Sequence, residues 1–217
     1  MGNLQTKYVW EVPVRVTHWV IVLSIVILSV TGIFIGTPAS LAQNSSQFVM
    51  GWIRFVHFVT AYVFTVSVFA RIYWMFKGNR YANWRAFFPF KDEAYHNMIE
   101  TFKFYIFISK KNPSTVGHNS LAGAAYTGIF FLYLVMICTG FALYSERAPQ
   151  SLMHKLTGWL FTLFSSQGIR LTHHMVMWCL IGFAIHHIYS SWLMDSNEKS
   201  GIISSIFTGY KTVRKKD

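Results

Sequence analysis

The stretch THHMVMWCLIGFAIHHIYSSWLM, Thr172 to Met194, decides the fold. It contains no Asp, Glu, Lys or Arg, over a length that suits a hydrocarbon core, which takes about 20 helical residues at about 1.5 Å each. Yet it holds His173, His174, His186 and His187. A titratable side chain in such a segment is costly unless it lines a cavity, pairs with another group or binds a cofactor.

Working outward, three more stretches have the same character. The four predicted spans are residues 17–36, 53–76, 121–144 and 172–194, and the first, third and fourth carry no formal charge. Arg54 and Arg71 lie near the ends of the second, where such side chains snorkel toward the interfaces. Helices are the economical way to cross, because an open sheet would leave backbone groups unpaired in lipid. The reading is an all-α membrane protein, a single domain over 1–217 with four transmembrane helices in one bundle. The bulk composition agrees: 53% of residues are hydrophobic and only 12% charged, well below the quarter or so of a soluble domain.

The formal charge of +11 invites a nucleic-acid partner, but the basic residues sit between apolar spans and at the tail, where membrane topology explains them. On one side fall Lys7, Arg15, Arg71, Lys77, Arg80, Arg85, Lys91, Lys103, Lys110, Lys111, Lys199, Lys211, Arg214, Lys215 and Lys216. Only Arg54, Arg147, Lys155 and Arg170 fall on the other. Fifteen against four predicts both termini and the central loop in the cytoplasm. A weak signal-peptide pattern at Ser40 and Ala42 is set aside, since the first span is long for such a segment and its leader is not strongly basic.

The cytoplasmic loop from Lys77 to Ser120 is too long for a simple connector. Its stretch from Tyr95 to Ile108 has the apolar spacing of a helix lying in the interface. The tail carries Ile202, Ile203, Ile206 and Phe207 ahead of Lys215 and Lys216, which fits either a segment lying on anionic lipid or a solvated basic tail.

Topology arranges the histidines in depth. His18 opens a span running outward and His57 opens one running inward, while His173 and His187 mark the outer and inner ends of the fourth. Two pairs at matching depths follow, His57 with His173 and His18 with His187. The fourteen residues between His173 and His187 make nearly four helical turns, so both project from nearly one side, roughly 21 Å apart along the axis. Imidazole is the commonest protein ligand to haem iron, so one haem near each membrane surface is the implied content. Two ligands per iron leave no open position, which suits electron transfer rather than activation of a bound molecule. Gly32, Gly182 and Ala184 would let a flat macrocycle approach, although small residues also serve helix packing. His174 and His186 are rivals for ligation, each turned about 100° from its neighbour. His96, His118 and His154 lie in connecting segments. Cys138 and Cys179 form neither a C-x-x-C-H attachment site nor a zinc spacing, so any haem is held non-covalently.

The motifs around these residues resemble a known family. R-V-T-H-W through V-T-G (Arg15 to Gly32), R-F-V-H-F from Arg54, R-I-Y-W-M-F-K-G-N-R-Y (Arg71 to Tyr81) and R-L-T-H-H-M-V-M-W through H-H-I-Y (Arg170 to Tyr189) are similar to the cytochrome b subunit of membrane-bound nickel-iron uptake hydrogenases. The membrane subunit of formate dehydrogenase belongs to the same broader group. The resemblance implies haem b ligated by His18, His57, His173 and His187, a periplasmic partner of hydrogenase small and large subunits, quinone as electron acceptor and a place in the bacterial inner membrane. No cysteine set for nickel is present, so hydrogen splitting is not expected on this chain. The alternatives are a cytochrome subunit of formate dehydrogenase or thiosulfate reductase, against which the Arg71 to Tyr81 segment argues, and a transporter using membrane histidines. The scarcity of acids within the spans disfavours the transporter.

Overall fold

The computed structural model describes residues 4–37, 47–86, 92–106, 108–109 and 120–214. The positions Ser40, Ala42, Lys91, Lys110, Lys111, His118, Lys215 and Lys216 lie outside them. In chain order the elements are β1 (Leu4–Tyr8), α1 (Val12–Gly36), α2 (Val49–Lys77), a short 3-10 turn (Trp84–Ala86), α3 (Asp92–Tyr105), α4 (Ser120–Ser145), α5 (Leu152–Thr157), α6 (Leu160–Leu163), α7 (Ser166–Glu198), α8 (Ile202–Thr208) and β2 (Tyr210–Arg214). Four of these helices, α1, α2, α4 and α7, are long and apolar enough to cross a membrane. The protein is therefore an all-α membrane protein with four candidate spans.

Each spanning helix outruns the apolar stretch that announces it. At 33 residues, α7 is about 50 Å long against a hydrocarbon core of about 30 Å. Its first turn and its last reach beyond lipid, where Ser166, Arg170, Asp195 and Glu198 are affordable. Many outward-facing side chains of the spans are apolar and open: Val66 is 68% exposed and Ile188 70%. A protein in water would bury such surface, whereas acyl chains cover it at no cost.

The chain divides into two compact units. One comprises the described parts of 1–17, 70–131 and 184–217. Within it β1 and β2 pair antiparallel, in register from Leu4 opposite Arg214 to Tyr8 opposite Tyr210. An apolar cluster of Val9, Trp10, Val14 and Ala82, with Trp74, Tyr81 and Ile206 packed on it, lies next along the chain from β1. Several buried polar groups of this region find partners, as groups removed from water tend to. Trp10 Nε1 donates to Ser205 Oγ at 3.1 Å, and the Glu11 carboxylate accepts from Trp74 Nε1 at 2.9 Å and from the Asn79 backbone N–H at 2.8 Å. Arg15 donates to the Phe207 carbonyl. The tail is thus folded: Ile206 packs into the cluster, while Ile203 and Phe207 stay exposed. Pairing of the two terminal strands requires both ends of the chain on one side of the bilayer, which an even number of crossings provides.

The other unit comprises 18–69 and 132–183. Here α2 and α4 meet through aromatic pairs, Phe58 with Tyr144 at 4.7 Å, Tyr62 with Phe141 at 5.1 Å and Phe64 with Tyr133 at 5.3 Å between ring centroids. Tilted, edge-on pairs of this kind add roughly 0.5–1.5 kcal/mol each beyond the area they bury. Ala142, Leu160 and Ile169 form a second apolar cluster that ties α6 to α4 and α7. On α5, Ser151 caps the first turn by accepting from the His154 backbone N–H. In the loop helix α3, Thr101 is buried while Tyr95 and Phe102 are exposed.

Candidate functional site

The histidines of the second unit are held in one repeated way. On α1, Thr31 Oγ1 lies 2.7 Å from the Ile27 carbonyl four residues back and 2.8 Å from Nδ1 of His57 on α2. On α4, Thr139 Oγ1 lies 2.7 Å from the Val135 carbonyl and 3.0 Å from Nδ1 of His173 on α7. A carbonyl can only accept, so a threonine that donates its hydroxyl hydrogen to its own helix offers a lone pair to the ring. Nδ1 of both histidines is then the protonated nitrogen, and Nε2 carries the lone pair a metal needs.

A glycine follows each threonine and lets the ring approach. A Cβ at Gly32 would stand 3.4 Å from His57 Cε1, and one at Gly140 would stand 3.1 Å from His173 Cε1. Gly32 is also where α7 comes near, through Met177 Sδ at 3.7 Å. The sequence reading placed Gly182 beside the histidines as well. Nine residues along α7 from His173 put it half a turn out of phase, and its Cβ position meets nothing within 4 Å.

The neighbouring histidines differ in their surroundings. His174 donates from Nδ1 to the Arg170 carbonyl of its own helix at 2.9 Å, and its ring packs at Gly36, 3.0 Å from where a Cβ would be. His187, half-buried in the first unit, has Nδ1 3.3 Å from the Tyr126 hydroxyl, with the two rings edge to face at 5.8 Å. His186 is exposed. His18 is half-buried and packs edge-on against Trp19 at 5.3 Å. His154 bonds Ser145 Oγ at 3.3 Å and stacks on Phe161, away from the spans' interior. Arg71 does not snorkel: it is 7% exposed, donates to the Ala82 carbonyl at 3.5 Å and lies over the Phe130 ring. Arg54 is exposed, as an interfacial cation should be.

The fourteen-residue spacing read for His173 and His187 recurs on the other spans. His18 and Gly32 on α1, His57 and Arg71 on α2, Tyr126 and Gly140 on α4, and His173 and His187 on α7 are each fourteen apart. Every span therefore carries two of these positions on nearly one side, about 21 Å apart along the helix. Thr-Gly pairs at 31–32 and 139–140 hold the rings, but the dipeptide also occurs at 127–128, 157–158 and 208–209 and does not single them out. Threonine and glycine also have an ordinary packing explanation in membrane helices.

Residues 9–209 match the family described as prokaryotic cytochrome b561. The chain belongs to that family. Among its relatives, a probable Ni/Fe-hydrogenase B-type cytochrome subunit of Cupriavidus necator is 39% identical, covering 98% of this chain and 89% of the relative. The like-named subunit of Bradyrhizobium diazoefficiens is 40% identical, covering 96% and 87%. The probable Ni/Fe-hydrogenase 1 B-type cytochrome subunit of Escherichia coli K12 is 35% identical, covering 97% and 92%. As a cytochrome b561 family member with four apolar spans, the chain is a multi-pass protein of the bacterial inner membrane.

A b-type haem asks for imidazole nitrogens presented from the protein and for room beside them. Among the described residues no three His, Cys, Asp or Glu side chains converge into a metal site built from protein alone. The donors present are imidazoles with Nδ1 engaged and small residues at their edges, which fits a group that brings its own equatorial ligands.

Proposed function

We propose that this chain is the membrane-anchoring cytochrome b of a nickel-iron hydrogenase, holding two haems b and relaying electrons from the iron–sulfur small subunit to quinone. His57 and His173 ligate the haem nearer the outer face, and His18 and His187 the haem nearer the cytoplasm. The observation that carries the reading is the matched pair of Thr–His bonds, at 2.8 Å and 3.0 Å, which leave Nε2 of His57 and His173 as the ligating nitrogen. The relatives' names supply the partner, the hydrogenase subunits, and haem b as the cofactor. Fifteen of the nineteen Lys and Arg residues on the side of the termini support the orientation.

His57 with His173, and His18 with His187, would each hold a haem b, which would supply one-electron transfer. The chain's own part is to present the imidazoles, keep their tautomers fixed, exclude water with the apolar walls of α2 and α4, and span the bilayer. His173 is the better ligand than His174, because the His174 atom packed against α1 at Gly36 is Nε2 itself, 3.0 Å from a would-be Cβ, whereas His173 packs through Cε1. His187 is better than His186, which is exposed.

Replacement of His57 or His173 with Ala in the intact complex tests this. Each variant should lose one low-spin haem from the dithionite-reduced spectrum and stop hydrogen-dependent quinone reduction, while hydrogen oxidation by an artificial acceptor continues. Retention of both haems in both variants overturns the assignment.

A further inference from the structure

We infer that Thr31 and Thr139 are positioning residues that fix the tautomer and ring plane of His57 and His173 and hold the haem between those rings at a lower potential than bare imidazoles would. The inference rests on the ligand assignment proposed above. Its own basis is geometric. Each hydroxyl lies 2.7 Å from the carbonyl four residues back, Ile27 or Val135, so its hydrogen is committed to the helix. Each ring nitrogen Nδ1 then meets a pure acceptor, at 2.8 Å for His57 and 3.0 Å for His173. The relay runs from ring to hydroxyl to helix carbonyl, and it occurs twice, once on α1 and once on α4.

Three things anchor the threonines. Back-bonding to the helix and the restricted side-chain settings of a branched residue leave the hydroxyl little freedom. Thr139 is 6% exposed, so no water competes for its lone pair. Gly32 and Gly140 bring the rings into contact with the same helices that carry the hydroxyls, at 3.4 Å and 3.1 Å from a would-be Cβ. The consequence is electronic. An imidazole whose N–H donates to an oxygen acceptor is the more basic ligand through its other nitrogen. A more basic ligand favours the ferric form, so the hydrogen bond lowers the midpoint potential.

The experiment uses the complete complex in membranes, with redox titration of the b haems and electron paramagnetic resonance of the ferric state. Thr139→Val and Thr31→Val keep the branched shape and remove the acceptor. Each should keep both haems, raise the potential of the one haem that His57→Ala abolishes, and alter its resonance anisotropy as the ring plane is released. Loss of one neutral hydrogen bond should raise that haem's reduced-to-oxidised ratio at a fixed poise by roughly threefold or more. Thr139→Ser and Thr31→Ser restore the acceptor and should return both readouts to the native values.

If the valine variants keep the haem at the native potential and spectrum, the inference is overturned although the ligand assignment survives. If the valine variants lose the haem while the serine variants keep it at native potential, the hydroxyl positions the ligand and the inference stands. If the serine variants lose it too, the positions act through packing alone and the inference falls. Retention of both haems in His57→Ala would instead overturn the ligand assignment.

Discussion

Gly140→Ala puts the close approach of α4 and α7 to the test. The added methyl would sit 3.1 Å from His173 Cε1, several tenths of an ångström inside the 3.5–4.0 Å of a relaxed carbon contact. The ring has little room to withdraw, because Thr139, the adjacent residue, holds its Nδ1 at 3.0 Å. Overpacking of this kind costs about 1–3 kcal/mol, against which the change from glycine to alanine within a helix returns about 0.5–1 kcal/mol. Gly182→Ala is the internal control, since it gains the same helix term on α7 and meets nothing within 4 Å. The difference between the two variants should therefore be about 1–3 kcal/mol, with Gly182→Ala neutral or stabilised. The assay is thermal loss of the haem absorbance and of tryptophan fluorescence in detergent-solubilised complex, with the variants run side by side. Equal midpoints for Gly140→Ala and Gly182→Ala would refute the claim that His173 packs against α4 at this glycine.

Other outcomes follow from other parts of the molecule. The Glu146 carboxyl is held below the usual carboxylate range by the Ser166 hydrogen bond first and then by Arg170. Its contribution is present above the ordinary value near 4.5 and lost as pH falls through the depressed folded-state value; being half-solvated it is worth only about 0.5 kcal/mol. Glu146→Gln should remove that small difference between stability at pH 7 and pH 3 in acid-unfolding curves, and an unchanged difference would dismiss the pair. Gly209, at φ +89, would bring a Cβ within 2.7 Å of Tyr8 and 2.8 Å of the Trp10 carbonyl. Gly209→Ala should cost at least about 1–2 kcal/mol locally and speed amide exchange in Leu4–Tyr8 and Tyr210–Arg214, with haem content intact.

The spans were legible because four long stretches are apolar, three of them without any formal charge, and their ends were not. Val12–Gly36 begins five residues before the apolar limit at Thr17, and Ser166–Glu198 begins six before Thr172, because a helix continues on backbone bonds after hydropathy stops marking it. The histidines stood out as polar groups in apolar surroundings. Thr31, Thr139 and Gly140 did not, since each is an ordinary residue of membrane helices until its partner across the fold is known. The terminal strands escaped for a different reason: five residues of mixed polarity, Leu4–Tyr8, say nothing of a partner at Tyr210–Arg214.

That pairing has a consequence for biogenesis. All four candidate spans lie between Leu4 and Arg214 in the chain, so every crossing must be threaded before the two can meet. Closure of the ribbon thus follows synthesis of β2 and reports that the spans between the two strands are inserted. A truncated product would leave an unsatisfied strand edge open to quality-control proteases.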